Sequence, residues 1–174
     1  MSKSEYIQYF VEGECEEKFI NAYKNGESAF LKPGKVEVLN PVNKYISESR
    51  ARAIKQNTTV VLVYDIDKGN IDVLSANIEM LKNHSLVKII HIQSVMNFED
   101  EIVKSTNLKK IDDMFSTTGL DNFKDAFIKH KDIVSKLKSI KFDNSLFWST
   151  IYLFGQFKGF VTESSISFIK KKEN

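Results

Sequence analysis

The stretch Val60-Val61-Leu62-Val63-Tyr64-Asp65-Ile66-Asp67-Lys68-Gly69 decides the fold. Its first half continues from Thr59 as an unbroken apolar, largely β-branched run, the composition of a strand covered by protein on both faces of a parallel sheet. Its second half turns abruptly to carboxylates. In α/β proteins the carboxyl ends of parallel strands are where binding sites are built, so Asp65 and Asp67 are expected at such an edge. If the backbone stays extended there, both side chains emerge on one face and Ile66 points into the protein, with Gly69 supplying the turn.

Reading outward, Tyr6 to Val11 is a second strand-like run, closed by Gly13, and Cys15 to Tyr23 places Cys15, Phe19, Ile20 and Tyr23 on one helical face. A turn at Pro33-Gly34 precedes a strand over about Val36 to Leu39, and Lys44 to Ile54 reads as a weaker helix. Beyond Gly69, the spacing of Ile71, Leu74, Ile78 and Leu81 predicts a helix, and Leu86 to Ile92 a fourth strand. This β-α-β-α-β-α-β order predicts an α/β fold with a mostly parallel four-stranded sheet flanked by helices. After Phe98 the apolar positions keep helical spacing, so residues 1–105 are expected to form the α/β domain and 106–174 a helical extension on the same core. The aromatic stretch from Leu146 to Phe160 is compatible with a buried helix or a hairpin. Its rings are read as core, with a base-stacking platform as the alternative.

The chain has 174 residues, 42% of them hydrophobic, with 13 Phe and a single cysteine. That supports one ordinary core without disulfides, and a reducing, cytoplasmic setting is expected. Met1 to Glu5 carry no apolar targeting run, and no stretch is long enough to span a membrane. Charge is uneven: residues 1–101 hold 12 Lys and Arg against 15 Asp and Glu, and residues 102–174 hold 13 against 8. The basic excess includes Lys109-Lys110, Lys129, Lys131, Lys136, Lys138, Lys141 and Lys170-Lys171-Lys172, which suit a phosphate backbone or, equally, a solvated helix surface.

Carboxylates follow three strand-like runs. Glu12 ends the first, and Glu16 lies four residues on, where it can face the same ligand. Glu14 and Glu17 are expected to point elsewhere, as first-turn acids complementing the helix dipole. Asp65 and Asp67 follow the third strand. Ser94 and Glu99, in Ser94-Val95-Met96-Asn97-Phe98-Glu99, follow the fourth. Carboxylates gathered at one edge repel one another unless a cation sits among them, and an all-oxygen donor set suits Mg²⁺ or Mn²⁺. Such an ion bound to a phosphate supports phosphodiester chemistry, with Ser94 orienting a phosphate oxygen.

These motifs resemble the TOPRIM domain of topoisomerases, primases and a group of nucleases: Glu12-Gly13 is similar to its strand-one glutamate motif and Asp65-Ile66-Asp67-Lys68-Gly69 to its Asp-x-Asp motif. Val11-Glu12-Gly13-x-x-Glu16-Glu17-x-Phe19-Ile20 and Ser94-x-x-x-Phe98-Glu99 look closest to the OLD-type and RloB-like branch, although Val95-Met96 replaces the usual Asn-Pro. The resemblance spans about residues 6–102. It implies a Mg²⁺- or Mn²⁺-dependent nuclease acting on DNA or RNA, often in bacterial defence against phage and beside an ATPase partner chain. Glu12 becomes a metal ligand or general base; Glu16, Asp65 and Asp67 metal ligands; Glu99 a ligand of a second metal. Lys68 is a substrate contact, and the downstream lysine of OLD proteins is assigned to Lys158. No Walker A sequence is present, so nucleotide hydrolysis would belong to another chain.

Two other readings compete. A GT-A-like glycosyltransferase would use Asp65 and Asp67 for a metal and a sugar-nucleotide diphosphate, without need of Glu12 and Glu16. A non-catalytic TOPRIM-like module would bind nucleic acid or a partner. Because an unrestrained nuclease endangers its host, association as a homo-oligomer or with a partner through Leu146 to Phe160 is also expected.

Overall fold

The computed structural model describes residues 6–84 and 87–170. Four strands, β1 (Tyr6–Val11), β2 (Lys35–Val38), β3 (Thr58–Asp65) and β4 (Lys88–Ser94), form an all-parallel sheet in the order β2-β1-β3-β4. Between them lie α1 (Glu14–Tyr23), α2 (Glu48–Arg52) and α3 (Ile71–His84). The expected α/β architecture is thus present. Leu86, Met1 to Glu5, Lys171 and Lys172, on which some expectations rested, lie outside the described residues.

Strand alternation divides the core in two. Tyr9, Val11, Val61, Val63, Ile90 and Ile92 point to one face and pack with Phe19, Phe98, Phe123, Phe127 and Leu137. Phe10, Val60, Leu62 and Tyr64 point to the other and pack with Leu39, Val42, Leu74, Leu81 and Phe157. Both faces of β3 are therefore covered, which is why it tolerates an unbroken apolar sequence. The first face carries α4 (Phe98–Lys104), α5 (Leu120–Lys129) and α6 (Ile133–Ser139), with a 3₁₀ turn at Ile111–Met114; α7 (Glu163–Ile169) is the last described helix. The C-terminal part is helical and shares this core. Among the described residues no helix is long and apolar enough to cross a membrane.

Local expectations are corrected in two places. The helix expected over Lys44 to Ile54 is reduced to Glu48–Arg52, capped by Ser47. The preceding loop needs no helical hydrogen bonds because buried Asn77 serves it, accepting from Ile46 N at 2.7 Å and donating to Pro41 O and Lys44 O, both at 2.8 Å. The Leu146 to Phe160 segment is neither helix nor hairpin but a series of turns. Its rings divide: Phe147, Trp148 and Phe157 are buried, whereas Phe154 is 72% exposed. Gly69 is required for close approach, since a Cβ there would lie 2.6 Å from the Phe157 ring and 3.0 Å from Val42.

Candidate functional site

The strand order places the functional edge. From β1 the chain moves one way to β2 and the other way to β3 and β4, so the crevice at the carboxyl ends of β1 and β3 is the topological switch point. Val11 pairs with Val63 in register, which sets Glu12 and Asp65 beside each other just beyond the last rungs. Glu12 Oε2 accepts the Asp65 backbone N–H at 2.9 Å. Gly13 is extended and α1 begins at Glu14, so Glu16 returns toward the same crevice. A Cβ on Gly13 would sit 3.3 Å from Glu16 Oε2, a close contact that glycine avoids.

Asp65 pairs with Ser94 across β3 and β4, which sets the Ser94 hydroxyl beside the Asp65 carboxyl, where it favours the ionised form. One carboxyl oxygen, Asp65 Oδ1, is buried without a hydrogen-bond partner among the described residues. Glu99, in the first turn of α4, is buried at the same edge, and α5 sends Lys124 in from the opposite side, Nζ 3.5 Å from Glu99 Oε1. Together Glu12, Glu16, Asp65, Glu99 and Lys124 line a cleft of about 400 Å³, with Glu14, Cys15, Asp121 and Asp125 also on its wall.

Burial and mutual repulsion dominate the electrostatics. Asp65 is pushed up to about 9, first by burial and then by Glu16 and Glu12, with the Ser94 hydroxyl opposing. Glu16 is pushed up to about 7 by burial, helped by Glu12 and Glu99. Glu12 is raised by burial against the restraint of the Asp65 amide, and burial pushes the Cys15 thiol up to about 12. For Lys124 burial disfavours the ammonium, but Glu99, Cys15 and Glu16 outweigh it and the net shift is upward. The cleft is short of positive charge, and Lys124 supplies part of it.

Of the residues singled out in the sequence, Glu12, Glu16, Asp65 and Glu99 are brought together in this cleft. Asp67 is not. Strand β3 ends at Asp65 and the chain bends through Ile66 to Lys68, leaving Asp67 and Lys68 exposed, although Asp67 stays near enough to Glu12 to raise its pKa. Ser94 is fully buried between Asp65 and the Trp148 indole, whose Nε1 donates to Ser94 Oγ at 3.3 Å; it positions Asp65 and has no exposed surface to offer a ligand. Glu17 lies off the cleft as expected, whereas Glu14 stands on its wall. None of the other candidate lysines lines it. Lys129 pairs with Asp125 at 2.7 Å, Lys138 donates to Ser28 Oγ at 2.7 Å, and Lys136 stacks over Phe115. Lys131 borders a separate hollow with Lys18, and Lys158 is exposed next to Phe157, on the other face of the sheet.

Two residues escaped the sequence reading. Lys124 belongs to an α5 stripe, Asp121, Lys124, Asp125 and Ile128, whose i, i+3, i+4, i+7 spacing was a legible signal beside the apolar Phe123 and Phe127. Glu101 is a buried structural carboxylate. It accepts from Val95 N at 3.2 Å, Trp148 N at 2.9 Å and Lys104 Nζ at 2.6 Å, tying the aromatic segment to the loop after β4.

The donor chemistry suits a hard divalent ion, since Glu12, Glu16 and Asp65 offer only carboxylate oxygens and Asp65 Oδ1 is unpaired. Their side chains are not already closed around a point: among the described residues no three Asp, Glu, His or Cys side chains stand in metal-holding geometry. Mutual repulsion is a sufficient reason for carboxylates to stay apart until a cation draws them in. Comparison with family models, curated proteins and solved structures finds no match to this chain.

Proposed function

We propose that the chain is a Mg²⁺- or Mn²⁺-dependent nuclease that hydrolyses phosphodiester bonds in nucleic acid, with its centre at Glu12, Glu16 and Asp65. The observation that carries this reading is the unpaired, buried Asp65 Oδ1 at the switch point, in a cleft walled by Glu12 and Glu16. Burying such carboxylates together is costly unless a bound cation repays it.

A divalent ion bound there supplies charge for a phosphoryl oxygen and acidifies a bound water. The chain's own residues do the rest. Ser94 lies beside the Asp65 carboxyl and the Asp65 amide fixes Glu12, so the two acids stand together before substrate arrives. Glu12, beside the ion and held by the Asp65 amide, would be placed to take the proton of the attacking water. Lys124 places positive charge at the wall of the cleft, where a phosphodiester anion would approach. The similarity of the Glu12-Gly13 and Asp65-Ile66-Asp67 motifs to TOPRIM nucleases agrees with this assignment and extends the proposal to phage defence with an ATPase partner. A glycosyltransferase reading is less well supported, because it needs Asp65 and Asp67 on one ion while Asp65 lies with Glu12 and Glu16 instead.

The test is direct. Purified protein is incubated with supercoiled plasmid, single-stranded DNA and total RNA, each with Mg²⁺, Mn²⁺ or EDTA. Cleavage of at least one substrate with an ion and none with EDTA is expected; intact substrates throughout would overturn the proposal.

A further inference from the structure

Glu99 was expected to hold a second metal, but it already has a cation. Lys124 Nζ lies 3.5 Å from Glu99 Oε1, and the Glu99 side chain is only 8% exposed. Both ends of this pair are anchored. Phe123 and Phe127, fully buried, fix the face of α5 that carries Lys124. On α4, Asn97 caps the helix by accepting from Asp100 N at 2.9 Å, and Glu101 ties its first turn to Val95 N and Trp148 N. The fold therefore sets the base of Lys124 at the rim of the cleft, and its half-exposed side chain reaches in to the buried Glu99 carboxylate.

Ions of a two-metal centre stand about 4 Å apart and share ligands between them. A second dication on Glu99 would meet the Lys124 ammonium at contact distance, a like-charge encounter in a partly desolvated place. A second dication would also have to share the Glu99 carboxylate with the ammonium already on it.

We propose that Lys124 stands in for a second metal, so that the cleft takes a single divalent ion on Glu12, Glu16 and Asp65 while Glu99 belongs to Lys124. This rests on the metal-dependent reading given above, and it concerns stoichiometry, which can be read without any turnover. Mn²⁺ bound per chain is counted at saturation by equilibrium dialysis and by the loss of the free-ion paramagnetic resonance signal. The wild type is expected to bind one ion. Lys124→Gln is expected to bind two, because removing the ammonium frees Glu99, and Lys124→Arg is expected to bind one. Glu99→Gln is expected to keep the single ion, and it carries the test if Lys124→Gln does not fold. Two ions on the wild type, one on Lys124→Gln, or loss of the ion in Glu99→Gln would each overturn the assignment. No ion on the wild type would overturn the metal reading itself, and this assignment with it.

Discussion

Replacing Asp65 by Asn should stabilise the metal-free protein, and the size of the gain should depend on pH. The Asp65 carboxyl is held up to about 9 in the folded chain, chiefly by burial and then by Glu16 and Glu12, against an ordinary value of 3.8. A raised pKa means that the folded state keeps a proton the unfolded chain would release. The associated stability is therefore fully present below about pH 4 and is lost progressively as pH rises toward 9. At about 1.4 kcal/mol per pH unit, the interval from 3.8 to neutrality sets a ceiling of about 4 kcal/mol at pH 7. Relaxation of Glu16 and Glu12 around the buried charge lowers this to about 2 kcal/mol at the least. Asn cannot ionise but keeps the shape of the side chain beside Ser94. For a chain of this length a gain of about 2–4 kcal/mol raises Tm by roughly 5–15 °C. The assay is thermal unfolding followed by circular dichroism in EDTA at about pH 4.5, 7 and 8.5. A gain that is smallest at the lowest pH, about 1 kcal/mol, and grows with pH is expected. A destabilised variant, or a gain equal at all three values, would refute the electrostatic account of the cleft. Adding Mn²⁺ should reverse the order, since an ion that binds only the wild-type folded state raises its Tm by mass action.

Glu12→Gln should lower turnover by about two orders of magnitude or more, measured as initial cleavage rate, while Glu17→Gln, off the cleft, should change it little. Replacing Lys129, Lys131, Lys136 and Lys138 together by Gln should weaken nucleic-acid binding and flatten its salt dependence by roughly 0.9 log unit per lost duplex phosphate contact; unchanged binding at every salt concentration would return them to ordinary surface residues. Trp148→Ala should cost about 3–5 kcal/mol in denaturant unfolding, because the ring is buried and its indole N–H donates to Ser94 Oγ. If the aromatic segment mediates association, it does so through exposed Leu153 and Phe154, so Phe154→Ser should abolish a dimer seen by light scattering without loss of fold.

The sheet was legible because its strands carry their own evidence. Tyr6 to Val11 and Thr59 to Tyr64 are apolar runs too short for helices and bounded by carboxylates and glycine, and the structure places strands there within one residue. The grouping of Glu12, Glu16, Asp65 and Glu99 followed from topology, since parallel strands bring all their carboxyl ends to one edge. Asp67 was misplaced for a local reason. Alternation holds only while the backbone is extended, and β3 stops at Asp65. Lys124 was missed for a non-local one: the docking of α5 across the cleft is decided by Phe123 and Phe127 in a core assembled from both ends of the chain, which no window of sequence reveals. Asn77 and Glu101 share that character, each bonded to backbone far along the chain, Ile46 N 31 positions and Trp148 N 47 positions away.

The central claim is that Asp65, with Glu12 and Glu16, is the acid cluster through which this chain cleaves phosphodiester bonds. It is tested most directly by the single-turnover cleavage rate of wild type and Asp65→Asn, side by side, on whichever nucleic acid the wild type cuts in Mn²⁺. The account predicts ion-dependent cleavage by the wild type and none above background by a variant that is folded and, without metal, more stable. Cleavage by Asp65→Asn at the wild-type rate would contradict it.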